Sequence, residues 1–115
     1  MSQRVTLGAI VKSEAVLGDL IRPPFSMRRL PNGEIRWEIE SGVDEHELRT
    51  EDHFVALFVK LDPVWEQLRS LSDHCELVFS CYVWTDEGEP TPIFVLSNRT
   101  LARIAGLRAE LNVDF

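Results

Sequence analysis

Apolar and polar residues alternate along four stretches of the chain, which is typical of β-strands with one buried face. The alternation is clearest where Ile35, Trp37 and Ile39 are separated by charged residues. In the third stretch two cysteines share the apolar face with leucine, phenylalanine and valine. The four predicted strands are 5–11, 35–40, 75–83 and 111–115.

Turn residues predict two further strands, both in hairpins. Proline, asparagine and glycine at 31–33 form a turn signal just before the 35–40 strand. The segment 25–30 is ambiguous alone, but if it is extended it forms a hairpin with 35–40. The acidic segment 86–90 is predicted to turn the chain into a short apolar strand at 93–96.

Two short helices are predicted from apolar residues at helical spacing beside capping residues. The first follows Ser13, whose hydroxyl can cap a helix, and ends at the Arg-Pro-Pro sequence 22–24. The second follows Ser97 or Asn98 as its cap. We expect Gly106 to end it in the left-handed conformation that commonly terminates helices.

A long helix is predicted in the middle of the chain, because one apolar stripe runs from Phe54 to Leu71. Pro63 lies inside this stripe and removes a helical hydrogen bond, so we expect a kink or a break there. Asp62 could cap a second segment. The stripe keeps its phase across the proline, which favours one kinked helix over two unrelated helices.

The predicted order is strand, helix, one or two strands, long helix, two strands, helix and strand. This order indicates an α+β fold: a two-layer sandwich with a mostly antiparallel sheet of about five or six strands and two or three helices on one face. A ferredoxin-like arrangement is the specific hypothesis, with the long helix as an addition. The length predicts a single α+β domain spanning residues 1–115.

The formal charge of −7 limits the classes of partner. A negative chain repels phosphate backbones, so the sequence predicts no nucleic-acid partner. No apolar run approaches the roughly 18 residues of a membrane helix, and the first residues are too polar for a secretory signal. We therefore expect a cytoplasmic protein with no membrane partner. Acidity suits a basic protein partner, although it also simply keeps a protein soluble.

Cysteine and histidine spacing disfavours disulfide and metal chemistry. Cys75 and Cys81 are six residues apart on one predicted strand, roughly 20 Å, whereas a disulfide needs Cα atoms within about 7 Å. We expect buried, reduced thiols with raised pKa values. His74 is adjacent to Cys75 and would point to the other face, and His46 and His53 are seven apart. Zinc ligands are usually more closely spaced pairs, so we predict no metal and no cofactor.

Catalytic motifs are missing from the sequence. It contains no glycine-rich phosphate loop and no nucleophile-elbow glycines around a serine. Carboxylates are abundant but fall on predicted solvent faces and loops. We predict no catalytic residues, and the sequence favours a non-enzyme over an enzyme.

Two sets of positions carry a family resemblance. The front set is 5–11, the short helix, Pro23 or Pro24, Gly33 and 37–41. The rear set is His53, Phe54 and Leu57 in the long helix and 101–115. Together they resemble the bacterial domain-of-unknown-function 4279 family over nearly the whole chain. The resemblance implies no established activity and no catalytic set, and some relatives are suspected immunity partners in bacterial toxin systems.

Two oppositely charged segments supply the candidate binding residues. Arginines surround the proline link and the hairpin, and guanidinium groups suit carboxylate or phosphate. Acidic residues follow directly and suit a basic partner. Ordinary surface charge, with Arg–Glu pairs across the hairpin, is the alternative. The candidates are Arg22, Arg28, Arg29, Arg36 and Trp37 in the first segment and Asp44, Glu45, Glu47, Glu51 and Asp52 in the second.

The leading functional hypothesis is a non-enzymatic binding module, immunity-like in its role, that binds a protein partner through charged surface segments. The alternative is a small-ligand-binding protein or an enzyme with an anion-binding pocket. We also expect the tryptophan of that pocket to pack in the core or on a sheet face. The pocket residues are Arg28, Arg29, Arg36 and Trp37.

A homodimer is a third hypothesis. Val78, Tyr82 and Trp84 give the outer face of their strand a partly apolar character. A sheet face with exposed aromatic side chains is commonly covered by another surface. A second copy of the chain could provide that cover.

Overall fold

The computed structural model describes residues 2–85, 87–88 and 94–114. Within these residues five strands, three α-helices and three 3₁₀ turns follow the chain. The strands are β1 (Ser2–Val11), β2 (Ser26–Arg29), β3 (Ile35–Glu40), β4 (Val78–Trp84) and β5 (Glu110–Asp114). The α-helices are α1 (Thr50–Leu61), α2 (Trp65–Leu71) and α3 (Asn98–Gly106). The 3₁₀ turns are Glu14–Val16, Gly18–Ile21 and Asp62–Val64.

The strands form one sheet in the order β2-β3-β1-β4-β5. Every neighbouring pair is antiparallel except β4 and β5, which are parallel. The predicted hairpin of 25–30 with 35–40 is confirmed by the pairing of β2 with β3. The prediction of an α+β fold with a mostly antiparallel sheet of about five strands is therefore confirmed. The two-layer sandwich and the ferredoxin-like arrangement stay predictions.

The core lies on the side of the sheet to which the alternating apolar residues point. Leu7 of β1, Trp37 of β3 and Phe79 of β4 are all fully buried there. The rings of Phe54 and Phe58 on α1 contact Phe79, with centroids 6.0 and 5.7 Å away. The buried apolar residues form one cluster, so sheet and helices share a core.

Trp37 connects three parts of this core. Its indole nitrogen donates a hydrogen bond to the carbonyl oxygen of Leu20 at 2.8 Å. Its ring stacks on Phe25 with a centroid separation of 5.0 Å. A buried indole needs a hydrogen-bond acceptor, and here the acceptor belongs to the 3₁₀ turn Gly18–Ile21. Trp37 thus fastens the link between β1 and β2 onto β3.

The predicted interruption at Pro63 is present. α1 ends at Leu61, the 3₁₀ turn Asp62–Val64 follows, and α2 begins at Trp65. The role predicted for Asp62 was wrong, because the residue preceding α2 is Val64. The carboxylate of Asp62 instead pairs with Arg103 of α3.

The helix predicted after Ser13 is replaced by two 3₁₀ turns. Gly18, the first residue of the second turn, has a φ of +54°, which is incompatible with a continuous right-handed helix. Ser13 makes no side-chain capping hydrogen bond. The predicted apolar face is confirmed in part, since Leu17 and Leu20 are buried but Ile21 is 41% exposed. The glycine between them decides the local conformation.

The strand predicted at 93–96 was wrong for the part that can be described. Ile93 lies outside the described residues, as does most of the predicted turn at 86–90, and 94–96 have no strand conformation. β4 is paired with β1 along one edge and with β5 along the other. Neither edge of β4 is therefore free for the hairpin strand that the apolar run predicted.

The two ends of α3 differ in how well the sequence predicted them. The Ser97 cap is confirmed, because its hydroxyl oxygen accepts a hydrogen bond from the Thr100 amide at 3.1 Å. The prediction for Gly106 was wrong, because it is the last helical residue and Arg108 takes the left-handed conformation, with a φ of +52°. The Ala109 and Arg108 amides donate to the carbonyls of Ile104 and Ala105, closing the helix as glycine usually does.

We predict that Trp37→Phe lowers the free energy of unfolding by about 2–4 kcal/mol, because it leaves the Leu20 carbonyl unpaired and opens a cavity. Trp84→Phe is the matched control, since Trp84 is 45% exposed. We expect that control to stay within about 0.5 kcal/mol of the wild type. Urea unfolding of both variants measures the difference, and equal losses would contradict the anchoring role of Trp37.

Candidate functional site

The second side of the sheet carries the side chains that alternate with the core residues, and we call it the open face. Its central members are Thr6 and Gly8 of β1, Glu38 of β3, and Val78 and Ser80 of β4. Arg4, Ile10, Arg36 and Glu40 lie on the same face in register with these residues. β5 adds Glu110, Asn112 and Asp114. The centre of the face therefore combines the small residues Thr6, Gly8 and Ser80 with Glu38 and Val78, and charged residues surround it.

A trough of about 640 Å³ crosses the middle of the open face. Its floor is made by Thr6, Gly8 and Ser80, which are small residues on the central strand β1 and its neighbour β4. Larger side chains surround this floor. The trough exists because small residues on adjacent paired strands leave space that the larger side chains around them enclose. Those surrounding residues are Ile10, Glu34, Arg36, Glu38, Glu76, Val78 and Tyr82.

The backbone conformation of β1 does not require a glycine at position 8. Gly8 is regularly paired on both sides, opposite Glu38 within the ladder to β3 and opposite Val78 in the last pair of the ladder to β4. The residue does not have the positive φ found at four other glycines. A Cβ built on it would meet the Trp37 carbonyl at 3.4 Å, an ordinary contact. Glycine inside a strand weakens it and often marks close approach by a ligand or another backbone.

Carboxylates dominate the rim of the trough. Glu34 and Glu76 line its two sides, and the Glu76 side chain is exposed. Arg36 is the basic residue of the rim, and its guanidinium lies 3.5 Å from a carboxylate oxygen of Glu38. This pair neutralises part of the rim and leaves Glu34 and Glu76 to set its charge.

Arg4 is held flat on the open face by two contacts. Its guanidinium lies 5.2 Å from the centroid of the Tyr82 ring and 3.4 Å from a carboxylate oxygen of Glu40. An aromatic face combined with a carboxylate is a favourable environment for an arginine. The open face thus already accommodates one arginine side chain of the chain itself.

The structure separates the arginine residues predicted to form one pocket. Arg28 and Arg36 are directly opposite each other on the open face. Arg29 is opposite Ile35, on the core side of the edge strand, and lies 4.0 Å from Glu14. Trp37 is fully buried, as the core alternative predicted. Arg22 is elsewhere, 4.0 Å from Asp19.

The acidic segment predicted to bind a partner uses several of its carboxylates internally. Asp44 accepts a hydrogen bond from the His46 amide at 2.8 Å. Glu47 accepts one from the Arg49 amide at 3.2 Å. The Glu45 carboxylate lies 3.7 Å from His46. These contacts shape the turn that leads into α1.

Gln3 fastens this acidic segment to the sheet, a role that the sequence reasoning missed. Its side-chain nitrogen donates to the Glu47 carbonyl at 2.7 Å and its oxygen accepts from the Thr50 hydroxyl at 2.7 Å. The ring of His53 contacts the same Glu47 carbonyl at 3.1 Å. Gln3 lies two and four residues before Val5 and Leu7, so strand alternation places it on the core side of the sheet. A polar residue at such a position was the sign in the sequence that it has a structural role.

Glu51 joins the first turn of α1 to the start of α3. Its carboxylate accepts a hydrogen bond from the Ser97 amide at 3.1 Å. Partial burial raises the pKa of Glu51, but hydrogen bonds from Thr100 and Ser97 lower it, and the net pKa lies below the ordinary value of 4.5. The ionised carboxylate is therefore part of the contact between the two helices.

The two cysteines are free thiols. Cys81 is buried in β4, and burial raises its pKa to about 11. Cys75 precedes β4, which begins three residues later than predicted, and its amide donates to the Leu71 carbonyl. Burial also raises the pKa of Cys75. Both shifts agree with the predicted inert thiols.

Neither a metal cluster nor a spanning helix occurs within residues 2–85, 87–88 and 94–114. Histidine, cysteine and carboxylate side chains do not gather there in groups of three or more that could hold a metal ion. The helices of the same residues are too short or too polar to cross a membrane.

Comparison with protein families gives one match. The model of DUF4279, a domain of unknown function, matches residues 5–115. The chain belongs to the DUF4279 family. The match begins within β1, extends through β5, and confirms the resemblance drawn from the core and turn positions. Neither the curated proteins nor the solved structures give a match.

The DUF4279 fold of this chain places its trough beside Arg36, which was a predicted site residue, and mostly at residues that were not candidates. Gly8 and Glu76 were assigned to a strand and to a solvent face, and neither was named as a candidate. A glycine within an otherwise strand-forming run was the signal for Gly8. Glu76 had no comparable signal, because its position beside the trough depends on the pairing of β4 with β1.

We predict that Glu51→Gln lowers stability at neutral pH by up to about 1 kcal/mol, since the hydrogen bonds are partly exposed. Because the folded pKa is lowered, this stabilisation is present above about pH 4.5 and is lost as pH falls through the folded pKa. Urea unfolding of wild type and variant across this range measures it. Glu66→Gln is the control, and a difference that persists at low pH would contradict the assignment.

We predict that native Cys81 resists alkylation. A pKa near 11 leaves roughly a hundredfold less thiolate at pH 8 than the ordinary value of 9.0 allows. Iodoacetamide labelling followed by mass spectrometry should modify Cys75 faster than Cys81 in the folded protein, and both at the same rate in urea. Rapid native labelling of Cys81 would refute the inert assignment.

Proposed function

We propose that this protein is a non-enzymatic binding module that takes an extended basic segment of a protein partner on its open face. The observation that supports this most is the trough centred on Gly8, where the sheet backbone can be approached closely. The proposal includes the two-layer arrangement, with helices covering the core side and the partner covering the open face.

The charge of the open face favours a basic partner. Among the described residues, six carboxylates and three guanidiniums lie on this face, giving it a net charge of −3. The carboxylates belong to Glu34, Glu38, Glu40, Glu76, Glu110 and Asp114, and the guanidiniums to Arg4, Arg28 and Arg36. The whole chain has the same sign, at −7. Long-range attraction would therefore speed the approach of a cationic segment.

The same charge argues against a second copy of the chain as the occupant. Two open faces placed together would each bring a net charge of −3. Like charges facing one another across an interface cost free energy and suppress the wrong partner. We therefore propose a different protein as the partner, and an immunity-like role fits a partner such as a toxin with a basic surface.

The contacts of Arg4 indicate how a partner arginine would bind. Arg4 combines the Tyr82 ring with a carboxylate on one side of the trough. Glu76, which lines the trough and is exposed, offers the next carboxylate. A partner arginine that lies over the small floor residues can reach Glu76 or Glu34. The acidic turn at 44–47 is a weaker candidate, because its carboxylates already accept backbone hydrogen bonds.

We predict that Gly8→Leu weakens binding of a basic peptide at least about tenfold, because the side chain fills the trough. The probes are fluorescent ten-residue peptides rich in arginine or glutamate, measured by anisotropy at low and high salt. We expect the basic peptide to bind, and salt to weaken it.

Two matched variants control this experiment. Gly106→Leu makes the same change on α3, where a Cβ meets nothing within 4 Å. Glu76→Lys should weaken binding while Glu66→Lys on α2 should not. If Gly8→Leu and Gly106→Leu bind the basic peptide equally, or if the acidic peptide binds as well as the basic one, the proposal fails. Thermal unfolding confirms that each variant is folded.

A further inference from the structure

Three arginines lie together at the β2 end of the open face. Arg4, Arg28 and Arg36 line one shallow concavity of about 340 Å³. Ser26, Met27 and Glu38 complete its lining. We refer to Arg4, Arg28 and Arg36 as the arginine site. It shares Arg36 and Glu38 with the trough but is built on the edge strand.

Arg28 and Arg36 are placed unfavourably for an isolated chain. They are directly opposite each other on antiparallel strands, where Cβ atoms are about 4.5–5.5 Å apart. Like charges at such positions destabilise a sheet. Their placement becomes favourable when an anion lies between the two guanidiniums.

The carboxylates nearby leave one of these arginines without a partner. Glu38 pairs with Arg36 at 3.5 Å, and Glu40 pairs with Arg4 at 3.4 Å. Within the part of the chain that the structure describes, Arg28 makes no ion pair. The three arginines and the two glutamates together carry a charge of +1, whereas the whole open face carries −3. The arginine site is thus a local reversal of the surface charge.

Two features prepare the site for a ligand. The Tyr82 ring and Glu40 hold Arg4 in position, which reduces the entropy lost on binding. All four residues of β2 are exposed, so the concavity is accessible from solvent. Guanidinium groups bind carboxylate and phosphate oxygens through paired hydrogen bonds.

We propose that Arg4, Arg28 and Arg36 bind a small oxyanion, a phosphate or carboxylate group, in which Arg28 provides the unneutralised charge. The affinity for a free anion is on the order of 1–10 mM, as suits an exposed site with few hydrogen bonds. This inference does not depend on the proposed function, because it needs no occupant in the trough.

The experiment is a titration of the full chain followed by ¹H–¹⁵N spectra that include the arginine side-chain signals. Inorganic phosphate and succinate are the two probes, and sodium chloride at matched ionic strength corrects for screening. Saturable shifts at Arg28 and Arg36 with phosphate but not succinate indicate a site for phosphate. Saturable shifts with succinate, with or without a response to phosphate, indicate a site that accepts carboxylates. Shifts no larger than those with chloride overturn the proposal.

Neighbouring residues of β2 provide a matched pair of variants. Arg28→Ala should weaken phosphate binding about tenfold or more. Arg29→Ala removes the same charge from the adjacent residue, which lies on the other side of the strand, and should leave binding unchanged. Equal effects of the two variants would mean that net charge alone attracts the anion, and the site would be rejected.

The unfolding temperature provides a second measurement, which distinguishes anion binding by Arg28 from a purely structural role of that residue. Without anion, Arg28→Ala should unfold at the same or a higher temperature, since a like-charge contact is removed. Phosphate should raise the unfolding temperature of the wild type and of Arg29→Ala but not of Arg28→Ala. Arg28→Ala should also bind the basic peptide no more weakly, so failure of this inference is distinguishable from failure of the proposed function.

Discussion

β1 pairs with β3 along residues 6–11 and with β4 along residues 2–8, so its two ladders overlap at residues 6–8. This double pairing sets the position of almost everything else. It directs Val5, Leu7 and Ala9 into the core and leaves Thr6 and Gly8 on the opposite side. Because alternation is strict in an unbulged strand, a shift of one residue would exchange the two sets. The core and the trough are therefore consequences of the same register.

The predictable part of the fold came from repeated local patterns. Alternation located β3 and the apolar stripe located α1 and α2, since burial of one face imposes these periods on the sequence. The failures came from single positions and from competition between segments. Gly18 changed a helix into two 3₁₀ turns, and β1 and β5 occupy both edges of β4, with which the run at 93–96 was predicted to form a hairpin. The residues 93–96 themselves contain no sign that β5 would pair with β4 instead.

The candidate site was less predictable, because it depends on which strands become neighbours. Arg28 and Arg36 were selected for their charge, and the hairpin brings them together. Arg29 has the same chemistry and an adjacent position, but strand alternation sends it to the other side. From the sequence, Asp44 and Glu47 were expected to be surface charges, whereas in the structure both carboxylates accept backbone hydrogen bonds that stabilise a turn. Proximity in sequence grouped these arginines into one pocket, whereas strand alternation keeps only Arg28 and Arg36 on the same face.

The pairing of β1 also affects the order in which the chain can fold. β3 ends at Glu40 and is available to β1 early, whereas β4 ends at Trp84. During synthesis at about 5–20 residues per second, roughly 2–9 s separate the completion of these two partners. In that interval one edge of β1 has unpaired backbone groups and resembles an aggregation-prone edge strand. Glycine weakens a strand, so Gly8 would make β1 a poorer template for a foreign strand during that interval than an alanine or valine at the same position.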